Sequence, residues 1–372
     1  MQTRTLPTVD ADAAAEARRQ LAICNICGYC NGLCAVFSAA ERRPRLADGD
    51  LDQLANLCHH CRSCLYDCQY APPHAFAINL PRALARQRRQ SYARYTWPRP
   101  LAALFTGGGL RAGLPAAGVV LAFTLAVVLA VPVEVLFGVH SGPGAFYQVI
   151  PFGVMTAGAA LSLGFALLAV GMGLRRFRQA TAATQPAGSP GSAAGRATLA
   201  VLTLDNQAGG GPGCADLDHH PSRLRRRFHH ALFYGFLLCL ASTLVAAARH
   251  HLLGEAAPYP LLSAPVLLGT AGGLGMLVGG LGMHWLRRRE DPTPTDPDSR
   301  GADTALTWLL LAVAATGLAL LALRGTAAMG LLLAVHLGTV LALFVLLPYS
   351  KMVHAVYRGA ALWQDARERD GT

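Results

Sequence analysis

Charge is scarce in this sequence: Asp, Glu, Lys and Arg make up only 14% of 372 residues, against 53% hydrophobic. An ordinary soluble chain carries about 25% charged residues, so part of this one is expected to be dissolved in lipid. A secretory signal is missing as well, because Asp10, Asp12 and Glu16 sit among the arginines of the first twenty residues and no apolar core follows. Without export the ten cysteines are expected to stay in a reducing compartment, which disfavours a disulfide scaffold and leaves thiolates for metals. Enzyme signatures are equally thin. Gly107–Gly109 and Gly209–Gly211 lack a preceding strand and the G-x-G-x-x-G spacing of a flavin or nicotinamide site. No C-x-x-C-H occurs, since Cys27 and Cys61 are followed by Gly28 and Arg62, which excludes covalently attached haem. No Ser/His/Asp or paired-carboxylate constellation stands out, so no catalytic residue is assigned.

What is present begins with two identical runs, Cys24-Asn-Ile-Cys27-Gly-Tyr-Cys30-Asn-Gly-Leu-Cys34 and Cys58-His-His-Cys61-Arg-Ser-Cys64-Leu-Tyr-Asp-Cys68. Each reads C-x2-C-x2-C-x3-C, the spacing that wraps three thiolates round one [4Fe–4S] cube and sends the fourth to its neighbour. One cluster is therefore expected on Cys24, Cys27, Cys30 and Cys68, the other on Cys58, Cys61, Cys64 and Cys34. Structural zinc prefers pairs of C-x2-4-C to rows of four. Ala35 and Gln69 stand where the bacterial ferredoxin motif often has proline. Between the runs, Leu51, Leu54 and Leu57 recur at intervals of three, which predicts a helix and hence a helical ferredoxin-like module.

The fold expected is all-α. A polar arm (1–20) precedes the cluster module (21–81) and a basic segment (82–114), read as a juxtamembrane anchor or a docking surface for an acidic partner. Six apolar segments follow, near 115–137, 148–174, 229–248, 261–286, 305–323 and 328–350, each about the ~20 residues that span a bilayer as helix. They group as 115–174 and 229–350, separated by a polar loop (175–228) and followed by a tail (351–372). The loop is Ala/Gly/Ser/Pro-rich over Thr181–Gly195, a composition expected to be flexible, and no chemistry is assigned to its 202–214 stretch.

The net charge of +11 could signal nucleic acid, but the arginines sit at the ends of apolar runs, so no nucleic-acid partner is expected. Arg175, Arg176, Arg178, Arg223, Arg225–Arg227, Arg287–Arg289, Lys351 and Arg358 fall on one side and only Arg249 and Arg324 on the other. Cytoplasmic loops collect positive charge, which puts both termini and the clusters on the cytoplasmic face of a bacterial inner membrane.

Histidine in or capping a membrane helix is costly and usually functional. His336 and His354 lie eighteen residues apart, five helical turns or ~27 Å on one face. Facing them, His229 and His230 begin segment three, and His250 and His251 follow it. Bis-histidine ligation of b-type haem is expected, one or two groups, pairing His230 (or His229) with His354 and His251 (or His250) with His336.

The run Cys58 to Cys68, Ala71-Pro72-Pro73-His74, Asn79-Leu-Pro81-Arg82 and Arg225-Arg-Arg-Phe-His229-His230-Ala-Leu-Phe-Tyr234-Gly235-Phe236 resembles the tricarballylate (citrate) utilisation protein B family. The resemblance covers residues ~20–360. It implies a membrane partner that takes electrons from an FAD-dependent dehydrogenase subunit through two [4Fe–4S] clusters and haem to quinone. The membrane part is similar to nitrate reductase gamma subunits, which are dihaem helical bundles. The architecture also resembles the C-terminal half of a cobalamin-biosynthesis fusion protein, implying a precorrin-oxidising role instead. A haem-based oxygenase or redox sensor is the reading from another class.

Overall fold

A computed structural model describes residues 11–105, 112–182, 189–209, 211 and 213–371. The first ten residues, Gly107–Gly109 and two positions of the Gly209–Gly213 stretch lie outside the described residues.

The module opens with α1 (Ala11–Cys27), which buries Ala13, Ala17 and Leu21. The expected arm is therefore helix from Ala11 onward, and it carries Cys24 and Cys27. Then come α2 (Ala35–Glu41), α3 (Asp48–Leu57), α4 (Ser63–Tyr66) and α5 (Leu80–Tyr95). In α3 the leucines at intervals of three are buried, Leu51, Leu54 and Leu57 being at most 1% exposed, and so are the polar residues between them, Asp52, Gln53 and Asn56. Asp48 and Asp50 occupy its first turn, where carboxylates favour the dipole, and Asp50 Oδ2 accepts the Ala47 N–H at 2.9 Å. Helix α5 starts on Asn79, whose side chain accepts the Arg82 N–H, with Pro81 in its first turn.

The basic segment is not a free anchor. Arg88 donates to the Ala55 and Cys58 carbonyls, Arg89 pairs with Asp296 and Asp298, and Arg94 pairs with buried Asp52. Alternation of basic and apolar residues looks the same whether the partner is lipid or protein.

The bundle consists of α6 (Leu114–Ala130), the short α7 (Val133–Leu136) and α8 (Ala145–Val149), α9 (Phe152–Thr181), α11 (Leu224–Leu253), α12 (Ala264–Arg289), α13 (Ser299–Leu323) and α14 (Met329–Leu346). Five of these are long and apolar enough to cross a membrane: α9, α11, α12, α13, and α14 with its 3-10 extension to Tyr349. With 17 residues α6 is shorter, about 26 Å by helical rise, and Pro132 interrupts the run before α7 resumes it. Leucines such as Leu121, Leu161, Leu244 and Leu281 point outward, more than half exposed, as lipid contact requires.

Helices α11 and α12 pack most closely, along a seam of small residues that lets backbones approach. A Cβ on Gly279 would sit 2.3 Å from the Leu232 nitrogen, and one on Gly235 2.6 Å from the Met276 nitrogen. Gly279→Val is accordingly expected to lower stability by about 3 kcal/mol, the upper part of the overpacking range. Gly158→Val on α9, where an added Cβ meets nothing within 4 Å, serves as the near-neutral control in thermal unfolding of the detergent-solubilised protein.

Two expected loops are ordered. Helix α10 (Pro190–Thr203) occupies part of the stretch expected to be flexible, and α15 (His354–Gly371) replaces the tail. Both pack on each other, and α15 also lies on α3. Asp365 and Glu368, 3% and 1% exposed, take Arg42 and Arg43 as partners at 2.5 Å each. One core joins the module to the bundle: Leu21, Phe37, Leu54 and Tyr92 pack with Phe177, Tyr349, Tyr357 and Leu362. The 202–214 stretch leads into a two-stranded ladder, β1 (Cys214–Ala215) with β2 (Pro221–Ser222). The Ala215 N–H donates to the Cys61 carbonyl at 3.0 Å, tying this loop to the second cysteine run.

Candidate functional site

All ten cysteines are unpaired. Cys24 and Cys27 come off the end of α1, Cys34 caps α2, Cys58 caps α3, and Cys64 lies on α4. The tight turn between Cys27 and Cys34 uses Gly28 and Gly32, at φ +66° and +84°, where glycine avoids a steric cost. The two runs lie beside one another and form two cavities. One is lined by Cys24, Cys27, Cys30, Cys64 and Cys68; the other by Cys34, Cys58, Cys61 and Cys64, so that Cys64 borders both. The fourth cysteine of each run thus faces the other run's triplet.

Burial pushes the Cys24 thiol up to about 12, reinforced by Cys30, Cys68 and Cys27. Burial does the same to Cys34, reinforced by Cys58 and Cys61. Four thiols crowded in an apolar cavity cannot all ionise unaided, and a bound cation is what makes thiolates of them. The donor sets fit two thiolate-ligated clusters.

A third cavity lies where the module, the bundle and α15 meet. His59, His60, Arg62, His229, Lys351 and His354 are among its walls. The His229 and His354 rings are neighbours, their centres 6.2 Å apart and their planes at 84°. With about 2 Å for a metal–imidazole bond and roughly 1 Å from nitrogen to ring centre, two imidazoles on opposite sides of one metal have centres roughly 6 Å apart. His354 Nδ1 bonds the Lys351 carbonyl at 2.6 Å, which fixes the ring and frees Nε2. Burial, then the Arg358 charge, pushes its pKa well below the ordinary value, so the ring is neutral and able to ligate. His229 Nδ1 is buried without a hydrogen-bond partner among the described residues. These residues fit a bis-histidine haem.

The other histidines are elsewhere. His230 Nε2 bonds the Thr203 carbonyl at 3.0 Å, so His229 and not His230 meets His354. His250 stacks on Phe152 at 3.6 Å and His251 stands edge-on to the same ring at 5.4 Å. His336 Nδ1 meets Thr316 Oγ1 at 3.0 Å, packed against Gly317. No ring contact joins His251 or His250 to His336 among the described residues, so the far-side pair is not brought together. The shared helix of His336 and His354 is also absent: α14 stops at Leu346, Pro348 sits in a 3-10 turn, and His354 begins α15.

Sequence reasoning missed His59 and His60. Both line the second cysteine cavity and the third cavity, forming the partition between them. Burial holds both rings neutral, with Arg358 adding to the effect at His59 and Arg62 at His60. Inside C-x2-C they read as spacers. His60 and Arg62 adopt φ +56° and +70°, left-handed conformations that cost non-glycine residues of order 1–3 kcal/mol.

Comparison with known proteins agrees with this architecture. Residues 17–94 match the Fer4-like domain of citrate utilization protein B, and residues 110–372 match the citrate utilization protein B family itself. The sequence is 41% identical to citrate utilization protein B of Escherichia coli over 360 residues, 95% of this chain and 92% of that one. No solved structure matches it. The Fer4-like match ties the clustered cysteines to iron–sulfur binding, and the chain belongs to the citrate utilization protein B family.

Proposed function

We propose that this chain is the membrane electron-transfer subunit of a citrate- or tricarballylate-utilisation system, linking an FAD-dependent dehydrogenase subunit to quinone. The observation that carries the reading is the contiguity of three cavities, two rich in cysteine and one holding a neighbouring histidine pair, with His59 and His60 as the wall between the second and third. Cys24, Cys27, Cys30 and Cys68 would hold one [4Fe–4S] cluster and Cys34, Cys58, Cys61 and Cys64 the other; His229 and His354 would hold one haem b. Such groups, when bound, supply one-electron carriers between a flavin and a quinone.

The chain's own residues prepare this. Arg88 Nη1 and Arg358 Nη2 both donate to the Cys58 carbonyl, at 2.7 and 2.9 Å, bringing two cations beside the second cysteine cavity. The arginine bias of the helix ends supports an inner-membrane orientation with both termini and the cysteines cytoplasmic, so a soluble flavoprotein can dock on the module. The reduced optical spectrum of the purified protein tests the histidine ligation: carbon monoxide should leave it unchanged, because both axial positions are taken. A carbon-monoxide adduct would favour an oxygen-binding enzyme or sensor.

A further inference from the structure

The third cavity carries more positive charge than its residues neutralise. Arg62, Arg88, Arg225, Arg287, Lys351 and Arg358 line it, against Glu290 and Asp303. Asp216 adds a third carboxylate by pairing with Arg225. Six cations meet three carboxylates, and since Arg88 and Arg358 lie against the second cysteine cavity, one positive charge is left over in a largely buried site. Uncompensated buried charge is costly, so the site calls for an anion.

Arg62 shows where. It is 2% exposed, and its Nη2 reaches Glu290 Oε2 at 2.6 Å and Thr295 Oγ1 at 3.2 Å, both on the wall of this cavity. That Glu290 oxygen also takes Arg225 Nη2 at 2.8 Å, so one carboxylate serves two guanidiniums. Arg62 Nε and Nη1 are buried with no hydrogen-bond partner among the described residues, a costly state for a charged donor unless something accepts from it. Arg287, on α12, has hydrogen bonds to the Thr304 and Thr307 hydroxyls, at 3.5 and 3.4 Å, and to no carboxylate among the described residues.

We propose that Arg62, aimed from inside the second cysteine run, binds a carboxylate of the tetrapyrrole held between His229 and His354, with Arg287 contributing to the same positive field. The proposal rests on the haem reading above. A carboxylate suits because a guanidinium offers two parallel N–H donors to two oxygens. The residue that follows a cluster ligand would then grip the haem, which would tie the cysteine module to the haem pocket through one side chain. A soluble polycarboxylate such as citrate offers the same chemistry, and the experiment must separate the two.

The test is an anaerobic redox titration of full-length protein, haem followed optically and clusters by electron paramagnetic resonance, in wild type, Arg62→Gln and Arg287→Gln. Removing a cation beside a haem carboxylate favours the ferric state. Both variants should therefore show a lower haem midpoint, Arg62→Gln the larger shift, with cluster midpoints unchanged. If Arg62→Gln keeps its haem and its wild-type midpoint, or shifts a cluster midpoint alone, the proposal is overturned. Should Arg62→Gln lose its clusters, an unshifted haem in Arg287→Gln overturns it equally. A wild-type haem midpoint that moves with added citrate, and stops doing so in Arg62→Gln, would assign the site to the soluble acid and likewise overturn it. Wild-type protein without haem would instead sink the underlying reading.

Discussion

Replacing Cys68 with alanine should remove about half of the non-haem iron, and the half it removes should be the cluster on Cys24, Cys27 and Cys30, although Cys68 belongs to the other run. The cavity that Cys68 enters is lined by those three residues, while Cys34 completes the one bordered by Cys58, Cys61 and Cys64. A cube of four irons takes one thiolate at each corner, so losing one corner exposes the iron to solvent and oxidation. Cys34→Ala should do the reverse. Iron and acid-labile sulfide assays with paramagnetic resonance of the remaining cluster check both. If Cys68→Ala instead destroys the cluster on Cys58, Cys61 and Cys64, each run binds its own cluster and the crossed arrangement is wrong.

His354→Ala and His229→Ala should each abolish the low-spin haem signal and donor-to-quinone electron transfer, while the clusters, held by cysteine alone, remain reducible. The two ring centres lie 6.2 Å apart, whereas His230 is bound to the Thr203 carbonyl. His230→Ala, His251→Ala and His336→Ala should keep the haem. Pyridine haemochrome assays of the variant series decide the matter. Haem retained in His354→Ala together with haem lost in His336→Ala would move the site to the far side of the bundle.

Iron–sulfur binding was legible because spacing is a local property: three thiolates at C-x2-C-x2-C converge wherever the chain goes. Hydrophobic length likewise marked the bundle, since a bilayer sets it directly. Neighbour relations were not legible. Helical periodicity puts His251 and His336 at similar depths, but α11 packs on α12 and α14 on α6 and α13, so similar depth does not bring these two rings together. Pro348 ends the helix that the sequence treated as continuous to His354. The partition residues escaped because a histidine inside C-x2-C has no periodicity of its own, and its role follows from a left-handed turn at His60 and Arg62. Arginine runs raise the same ambiguity: Arg88 and Arg94 read as a membrane anchor, yet they hold α3 from within.

Quantifying iron, acid-labile sulfide, zinc and haem in protein purified anaerobically from its own membrane tests the central claim most directly. About eight non-haem irons with matching sulfide, and a single bis-histidine haem b, are expected per chain. Zinc in stoichiometric amount without labile sulfide would contradict it.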